Sequence, residues 1–398
     1  MIKGVRTIIL GAFWAAPWAG AVLSDMGADV LRLESRTKLC GYRTMGYPFA
    51  GNTPSVNRSA FNFYNRGLKS FTLDLNQIKA REIFKQLIKI TDIVISNFPP
   101  RVLPKWGLDY AGLKEIKSDI IFVSLTGFGT TGPDKDYLSF ASVAMSLGGF
   151  TASFGYPDAA PAIQGTHIAD PLGGMYGTIC ALSALYHRMK TGEGQFIDFS
   201  NSEAMAAVIP EIMIEYSMNN RIRPRMGNRD DIMAPHGVYK SKGEDKWVAI
   251  AISTDEEWKA FCRIMGNPKW CNEKKFSDQY SRWQNQDELN ELINKWTQNL
   301  THYEVMQKLQ DAKIAAGPSF NVEELINDRH IKKRKVFIEQ NHREAGMTIV
   351  FRSPWAAAKT SKNNPSPCLG EHNEYVFNHL LGISREDIEK LINEKVIY

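Results

Sequence analysis

The N-terminal segment VRTIILGAFWAAPWAGAVLSDMGADVLRLE, residues 5–34, decides the fold class of this chain. Residues 5–10 and 30–33 are apolar runs of strand length, and small residues form a tight turn after the first run. Pro17 opens an apolar helix between them, because its missing N–H group has no partner in a first helical turn anyway. This order of strand, turn, helix and strand predicts the start of a parallel α/β sheet.

The rest of the chain continues this pattern and then leaves it. Further strand-like runs lie at 71–75, 92–96, 120–125 and 195–199, and residues 77–90 carry apolar side chains at helical spacing. From about residue 237 we predict a hairpin of 238–240 with 247–252, a capping box at Thr254–Glu257 and two amphipathic helices. This change indicates a smaller α+β domain over 225–325, followed by a second hairpin (336–339 with 347–351) and two closing helices.

Composition narrows the class of protein. The chain has 398 residues, 43% hydrophobic and 23% charged, with a formal net charge of +5, which suits an anionic small ligand better than nucleic acid. Its five cysteines are widely spaced and form no CxxC pair, so we expect reduced thiols and no structural metal site. Because the sequence shows neither a signal peptide nor a membrane-spanning apolar run, we expect a cytoplasmic protein without membrane association.

One stretch, GTHIADPLGGMYG at 165–177, places an acidic residue at the start of a helix rich in small residues. Asp170 fits the N-cap just before Pro171, which is one interpretation of this residue. The other is a carboxylate held at the positive end of a helix, beside a floor of small residues, and free to act as a nucleophile or base. His167 lies three residues earlier and could assist it, although an isolated histidine is more often structural.

Four cations lie close to predicted strands in the N-terminal half. Arg36, Arg66, Lys69 and Lys105 are all placed just beyond strand ends, with the neutral donors Asn65 and Asn97. Ligands of an open parallel sheet bind at the carboxyl edge, so this set predicts a phosphate-binding site there. A solvated basic surface is the alternative interpretation.

Two other motifs carry less weight. Residues 127–132 match GxGxxG after a strand, but the following Pro133 prevents an immediate helix, so we predict a loop lining a site rather than a dinucleotide fingerprint. The basic run at 329–335 has one aromatic residue nearby and is typical of a solvated face. The residues alone therefore indicate an α/β enzyme with an anionic ligand and a reactive carboxylate.

A set of short motifs occurs in register along nearly the whole chain: AAP at 15–17, MGADVLRLE at 26–34, NRGLK at 65–69, SNF at 96–98, SLTGFG at 124–129, ADPLGG at 169–174, KTGEGQ at 190–195, GNR at 227–229, AGP at 316–318 and LGEH at 369–372. Together they closely resemble the class III CoA-transferase family, which includes formyl-CoA and carnitine CoA-transferases and the α-methylacyl-CoA racemases. The resemblance implies a CoA-binding Rossmann-like domain at 1–210, the small domain at 225–325, and a return to the large domain at 330–398. It also implies a dimer of two interlocked rings, either a homodimer or a hetero-oligomer with a homologous subunit.

The resemblance assigns roles to residues as well. Asp170 matches the family's catalytic aspartate, which attacks the thioester, and the backbone N–H groups at the start of its helix are candidates to hold the oxyanion. Substrates would be CoA thioesters and carboxylic acids, with no permanently bound cofactor and no metal. The following residues are predicted to contact CoA or to lie beside it: Trp14, Ala15, Arg36, Asn65, Arg66, Lys69, Asn97, Phe98, Lys105 and Phe140.

Three departures from the family pattern concern the acyl site. Trp14 replaces the glutamine of formyl-CoA transferases, and Phe140-Ala141 replaces a tyrosine followed by an acidic residue. No glycine-rich lid follows Asn228. These changes favour an apolar, aromatic acyl group, and we predict succinyl-CoA as donor and an arylsuccinate such as benzylsuccinate as acceptor. The alternative is a racemase with Asp170 as base, but Phe140 stands where that activity needs a proton-transferring histidine.

Overall fold

A six-stranded parallel sheet in the order β3-β2-β1-β4-β5-β6 organises the first half of the chain. The structure is a computed structural model that describes residues 1–44, 59–162, 165, 167–351, 353–354 and 364–398. Its strands are β1 Arg6–Leu10, β2 Asp29–Glu34, β3 Lys69–Thr72, β4 Ile93–Ser96, β5 Ile121–Thr126, β6 Phe196–Ser200, β7 His236–Lys240, β8 Trp247–Ala251, β9 Ala315–Ser319, β10 Phe337–His342 and β11 Gly346–Phe351.

The described helices follow the strands in sequence. They are α1 Ala15–Asp25, α2 Gly41–Thr44, α3 Ser59–Tyr64, α4 Ile78–Ile88, α5 Tyr110–Ile116, α6 Ala141–Leu147, α7 Phe150–Ser153, α8 Ala169–Thr191, α9 Asn201–Ala207, α10 Pro210–Asn219, α11 Asp255–Ile264, α12 Gln279–Gln284, α13 Gln286–Thr297, α14 His302–Asp311, α15 Val322–Asn327, α16 Arg329–Lys333 and α17 Arg385–Asn393. Short 3₁₀ turns lie at Leu103–Trp106, Lys269–Asn272 and Lys274–Phe276, and a π-helical turn lies at Tyr375–Leu380.

The chain divides into two compact units. The first comprises residues 1–151, 163–221 and 336–398, and the second comprises 152–162 and 222–335. The predicted boundaries were 1–210, 225–325 and 330–398, so the structure differs most in assigning 152–162 to the second unit. The parallel sheet and its flanking helices confirm the predicted α/β fold of the large domain.

Strand order explains where a ligand can bind. β1 pairs in parallel with both β2 and β4, so the strand order reverses between β1 and β4. At such a switch point the loops after the two strands leave in opposite directions and open a crevice at the carboxyl edge. Side chains from the strands pack into separate hydrophobic cores, Ile8 in one and Ile9 in the other, as expected for a parallel sheet covered on both faces.

A close crossing of α1 and α8 brings the predicted catalytic stretch to this edge. A Cβ atom added at Gly174 would lie 2.8 Å from the carbonyl oxygen of Ala15 and 2.7 Å from the Trp18 ring. Only glycine permits this approach without a shift of the neighbouring backbone. The N-terminal part of α8 is therefore held next to the start of α1.

The second unit is built on a three-stranded antiparallel sheet, β7-β8-β9. The predicted hairpin and the Thr254–Glu257 capping box are both confirmed. The third strand, β9, was not predicted, because its sequence of alanine, glycine, proline and serine has low strand propensity. In the first unit, β10 and β11 form the predicted second hairpin. Among the described residues, no helix combines the length and the hydropathy that crossing a membrane requires.

Candidate active site

Asp170 lies in the first turn of α8, at the carboxyl edge of the sheet. The prediction that it caps this helix is wrong, because the cap position is Ile168 and the Asp170 side chain makes no capping hydrogen bond. The helix begins one residue before Asp170, so its carboxylate is not committed to the helix backbone. It remains near the positive end of the helix dipole.

The environment of the Asp170 carboxylate is poor in hydrogen bonds. Burial raises the pKa of Asp170 from its ordinary value of 3.8 to about 6, and no group in the described part of the chain donates a hydrogen bond to it. Desolvation without compensating donors disfavours the charged form and leaves its oxygen lone pairs available. Such a carboxylate can act as a nucleophile or a base near neutral pH.

The charge of this carboxylate acts on two tyrosines. Burial, together with the charge of Asp170, raises the pKa of Tyr42 to about 12. The pKa of Tyr64 is also raised, by burial first and then by the charges of Tyr42 and Asp170. Their rings are 5.3 Å apart between centroids. Both phenols therefore stay protonated at neutral pH and can donate hydrogen bonds.

These tyrosines belong to a continuous row of five aromatic rings, which we call the aromatic row: Phe140, Phe13, Tyr42, Tyr64 and Trp14. Successive centroids lie 5.6, 5.5, 5.3 and 4.2 Å apart. Trp14 stacks on Tyr64, whereas Phe13 meets Phe140 and Tyr42 edge to face. Phe140 remains 64% exposed at the start of α6, so one end of the row is open to solvent.

The turn between β1 and α1 is fixed from two sides. Phe13 has a φ of 59°, and its amide donates to the Sγ atom of Cys40 at 3.3 Å. Asn97 accepts from the Ala12 amide at 3.0 Å and donates to the Ala12 carbonyl oxygen at 2.8 Å. Asn97 therefore positions the turn that carries Trp14 and Ala15, next to which we predict CoA.

The predicted cations do not all reach this edge. Arg36 follows β2 and Lys105 lies in the 3₁₀ turn after β4, and both are exposed. Arg66 and Lys69 do not lie beyond a strand end, because Arg66 precedes β3 and Lys69 is its first residue. Chain direction explains the error: Lys69 begins its strand and therefore lies at the amino edge of a parallel sheet.

The interactions of these residues agree with their placement. Arg66 is buried, pairs with Asp25 at 2.5 Å and stacks on Trp18 at 4.8 Å. Lys69 pairs with Asp29 at 2.5 Å. Asn65, also buried, donates to the carbonyl oxygen of Phe61. Of the four cations predicted to lie beyond strand ends, Arg36 and Lys105 are the two that the structure places there.

A cavity of about 450 Å³ opens beyond β4 and β5. Its wall includes Ser96, Phe98, Arg101, Ser124 and Lys135. A mostly apolar wall with a few polar and cationic groups is typical of small-molecule sites. Phe98, predicted beside CoA, therefore lines a cavity at the same edge as Asp170.

The remaining sequence motifs have plain outcomes. The glycine-rich loop at 127–132 leads into an irregular segment, and Thr130 donates from its amide to Asp198 and lines the same cavity. His167 is exposed, and its carbonyl oxygen accepts from the Asp170 amide.

Most of the basic run at 329–335 forms the short helix α16, in which the Lys332 ammonium donates a hydrogen bond to Asn327. Within the described ranges, no group of three or more His, Cys, Asp or Glu side chains could hold a metal ion.

Sequence reasoning missed Phe13, Tyr42 and Tyr64. Tyr64 directly precedes the NRGLK motif, and Tyr42 lies in the segment that follows β2. The signal available was topological, since segments that follow strands of a parallel sheet begin at its carboxyl edge. No residue spacing in these short helices indicates that their rings meet.

Comparisons with known proteins agree along the whole chain. The family description CoA-transferase family III matches residues 2–373. The beta subunit of succinyl-CoA–L-malate CoA-transferase from Chloroflexus aurantiacus is 32% identical over 403 residues, covering 100% of this chain and 98% of that protein. Succinyl-CoA–D-citramalate CoA-transferase from the same organism is 30% identical, with the same coverage of both chains.

A solved structure supports the same grouping. The crystal structure of a CAIB/BAIF family protein from Brucella suis matches with a TM-score of 0.86 at 29% identity, covering 95% of this chain and 98% of that one. The resemblance inferred from the short motifs is thereby confirmed. This chain belongs to CoA-transferase family III and is an enzyme of the class III CoA-transferase type.

Proposed function

We propose that this enzyme transfers CoA from succinyl-CoA to a carboxylic acid, with Asp170 as the covalent nucleophile. The observation that carries the proposal is the Asp170 carboxylate itself, which is desolvated, free of hydrogen-bond donors in the described part of the chain and held at a helix start. Relatives whose names include succinyl-CoA support the donor.

The reaction divides one transfer into covalent steps. An Asp170 oxygen attacks the thioester carbonyl carbon of succinyl-CoA, the C–S bond breaks, and CoA leaves as a thiolate. The thiolate then attacks the Asp170 carbonyl carbon of the mixed anhydride, which releases succinate and leaves an aspartyl-CoA thioester. The acceptor carboxylate repeats the two steps in reverse order, forming acyl-CoA and restoring Asp170.

Two features support CoA binding at this edge. Arg36 and Lys105 are exposed cations on segments that follow β2 and β4, where they can pair with phosphates. Phe98 and Lys135 line the cavity beyond β4 and β5, which offers an apolar wall beside a cation. No cofactor is proposed beyond the CoA thioesters themselves.

The aromatic row supports an aryl-bearing acceptor. Trp14 and Phe140 stand where relatives that act on small acids carry polar groups, and both rings belong to the aromatic row. We therefore propose an arylsuccinate, with benzylsuccinate as the first compound to test. This acceptor would place the enzyme in the breakdown of aromatic compounds.

A screen of acids with succinyl-CoA tests this function. The expected result is an acyl-CoA product, identified by mass, that forms faster with benzylsuccinate than with malate, glutarate or oxalate. Absence of any new CoA thioester across the acids would contradict CoA transfer. Preference for a small acid would contradict only the aryl acceptor.

The same protein can be tested for racemase activity. A chiral 2-methylacyl-CoA incubated in D₂O without an acceptor acid should gain no deuterium at its α-carbon, because no proton-transferring partner stands opposite Asp170 at Phe140. Steady deuterium exchange would favour the racemase instead.

A further inference from the structure

Every step of the proposed transfer places negative charge on a carbonyl oxygen next to Asp170. The start of α8 was the predicted source of donors for this oxyanion. Two of its amides are already engaged, because Asp170 donates to the His167 carbonyl oxygen at 3.2 Å and Leu172 donates to that of Ile168 at 3.1 Å. Pro171 has no N–H group. Asp170, Pro171 and Leu172 therefore offer no free N–H group to the oxyanion, which requires donors from other positions.

The two tyrosines of the aromatic row meet this requirement. Neither the Tyr42 nor the Tyr64 hydroxyl has a hydrogen-bond partner in the part of the chain that the structure describes. Their rings are held in place by neighbours: Tyr64 lies against Trp14 with an angle of 24° between the ring planes, and Tyr42 lies between Phe13 and Tyr64. Donors fixed in this way do not need to reorganise when charge develops.

We propose that the Tyr42 and Tyr64 hydroxyls together form the oxyanion hole of this enzyme, an assignment that rests on the proposed CoA transfer. When an Asp170 oxygen bonds to the thioester carbon, the π-electron pair moves to the carbonyl oxygen, which accepts from the phenols. Collapse re-forms the C=O bond and breaks the C–S bond. When the thiolate attacks the anhydride, the charged oxygen is that of Asp170, and the same hydroxyls stabilise it.

The arrangement favours the transition state over the resting enzyme. Tyr64 stacks on Trp14, which directly precedes Ala15, and the Ala15 carbonyl oxygen packs against Gly174, one turn beyond Asp170 on α8. In the described part of the chain, neither phenol donates to the resting carboxylate. Their hydrogen bonds are therefore made only as the oxyanion forms, and interactions of this kind increase kcat rather than ground-state binding.

Removal of each hydroxyl tests the assignment. Tyr42→Phe and Tyr64→Phe keep the rings and should each lower kcat about 100-fold, with the KM for succinyl-CoA within twofold of wild type. In a single turnover without acceptor, release of succinate should slow by the same factor. Tyr176→Phe removes a hydroxyl from α8 on the side packed against Phe199 and should leave both rates unchanged.

The outcomes separate this inference from the function on which it rests. Activity of both phenylalanine variants within threefold of wild type would overturn the oxyanion hole while leaving CoA transfer intact. If neither the wild-type protein nor Tyr176→Phe transfers CoA from succinyl-CoA to any acid, the proposed function is overturned. If Tyr64→Phe loosens its stack with Trp14 and unfolds, Tyr42→Phe alone decides, since its ring makes edge contact with Phe13.

Discussion

The indole of Trp14 stacks on the phenol ring of Tyr64 with 4.2 Å between the ring centroids. Trp14 precedes α1 and Tyr64 ends α3, so this contact joins the turn after β1 to the segment before β3. Tyr64 in turn responds to the charge of Asp170. The stack therefore connects the residue predicted to select the acceptor with a residue on which the charge of the proposed nucleophile acts.

Trp14→Gln should change acceptor preference. An aromatic contact is worth about 0.5–1.5 kcal/mol beyond the area it buries, so loss of the indole should raise the KM for benzylsuccinate several-fold. The KM for succinyl-CoA should stay nearly unchanged, because the donor carries no aryl group. Steady-state kinetics with both substrates measures the split.

Equal losses for large and small acceptors would mean that Trp14 packs against a part of CoA common to all substrates. Phe63→Leu is the matched control, since Phe63 touches Tyr64 and Phe351 but no ring of the aromatic row other than Tyr64. It should leave the ratio of the two KM values unchanged.

Asp170→Asn should stabilise the protein while abolishing transfer. Because the folded-state pKa is raised to about 6 from 3.8, the stability contributed by this group is fully present below pH 3.8 and is lost as the pH rises through about 6. The ionised carboxylate then costs about 3 kcal/mol. Above pH 7 the variant should unfold at higher temperature than wild type, and the difference should shrink as the pH falls from 6 towards 4.

Asp158→Asn is the control for this comparison. It removes the same charge from an exposed site and should leave the unfolding temperature unchanged at every pH. In wild type, kcat/KM should rise with pH around 6 as Asp170 loses its proton. Destabilisation by Asp170→Asn at pH 8 would show that the carboxylate has stabilising partners.

Arg36 and Arg66 should behave differently although both were predicted to bind CoA. Arg66→Gln leaves Asp25 buried without its partner, so it should lower stability by about 3–5 kcal/mol. Arg36→Gln changes an exposed side chain at the carboxyl edge and should raise the KM for succinyl-CoA about tenfold, with unchanged unfolding. A stable Arg66→Gln protein with weakened CoA binding would restore Arg66 to the site.

The sheet and the nucleophile could be predicted from sequence because each leaves a local signal. Buried parallel strands are continuous apolar runs, and Asp170 precedes a proline and a row of small residues. The position of Lys69 could not be predicted reliably, since a cation near a strand lies at one edge of the sheet or the other according to chain direction. The aromatic row depends on contacts between residues as distant as Phe13 and Phe140, which no local pattern encodes.

We propose that the enzyme is a dimer, formed by two copies or with a homologous subunit. Among the described residues, α8 and α10 expose large apolar side chains, including Met189 at 76% and Met218 at 77%. Apolar surface of this extent is usually covered by a partner. Light scattering of protein expressed alone should give twice the chain mass, whereas a stable, monodisperse monomer would contradict the dimer. Insoluble protein rescued by a co-expressed homologue would favour the hetero-oligomer.

The most direct test of the central claim is a chemical trap of the covalent intermediate. Wild-type protein incubated with succinyl-CoA and hydroxylamine, without acceptor, should carry a hydroxamate on the peptide that contains Asp170, because hydroxylamine attacks an aspartyl anhydride or thioester. The modification should be absent when succinyl-CoA is omitted. An unmodified Asp170 peptide from enzyme that still transfers CoA would contradict the account.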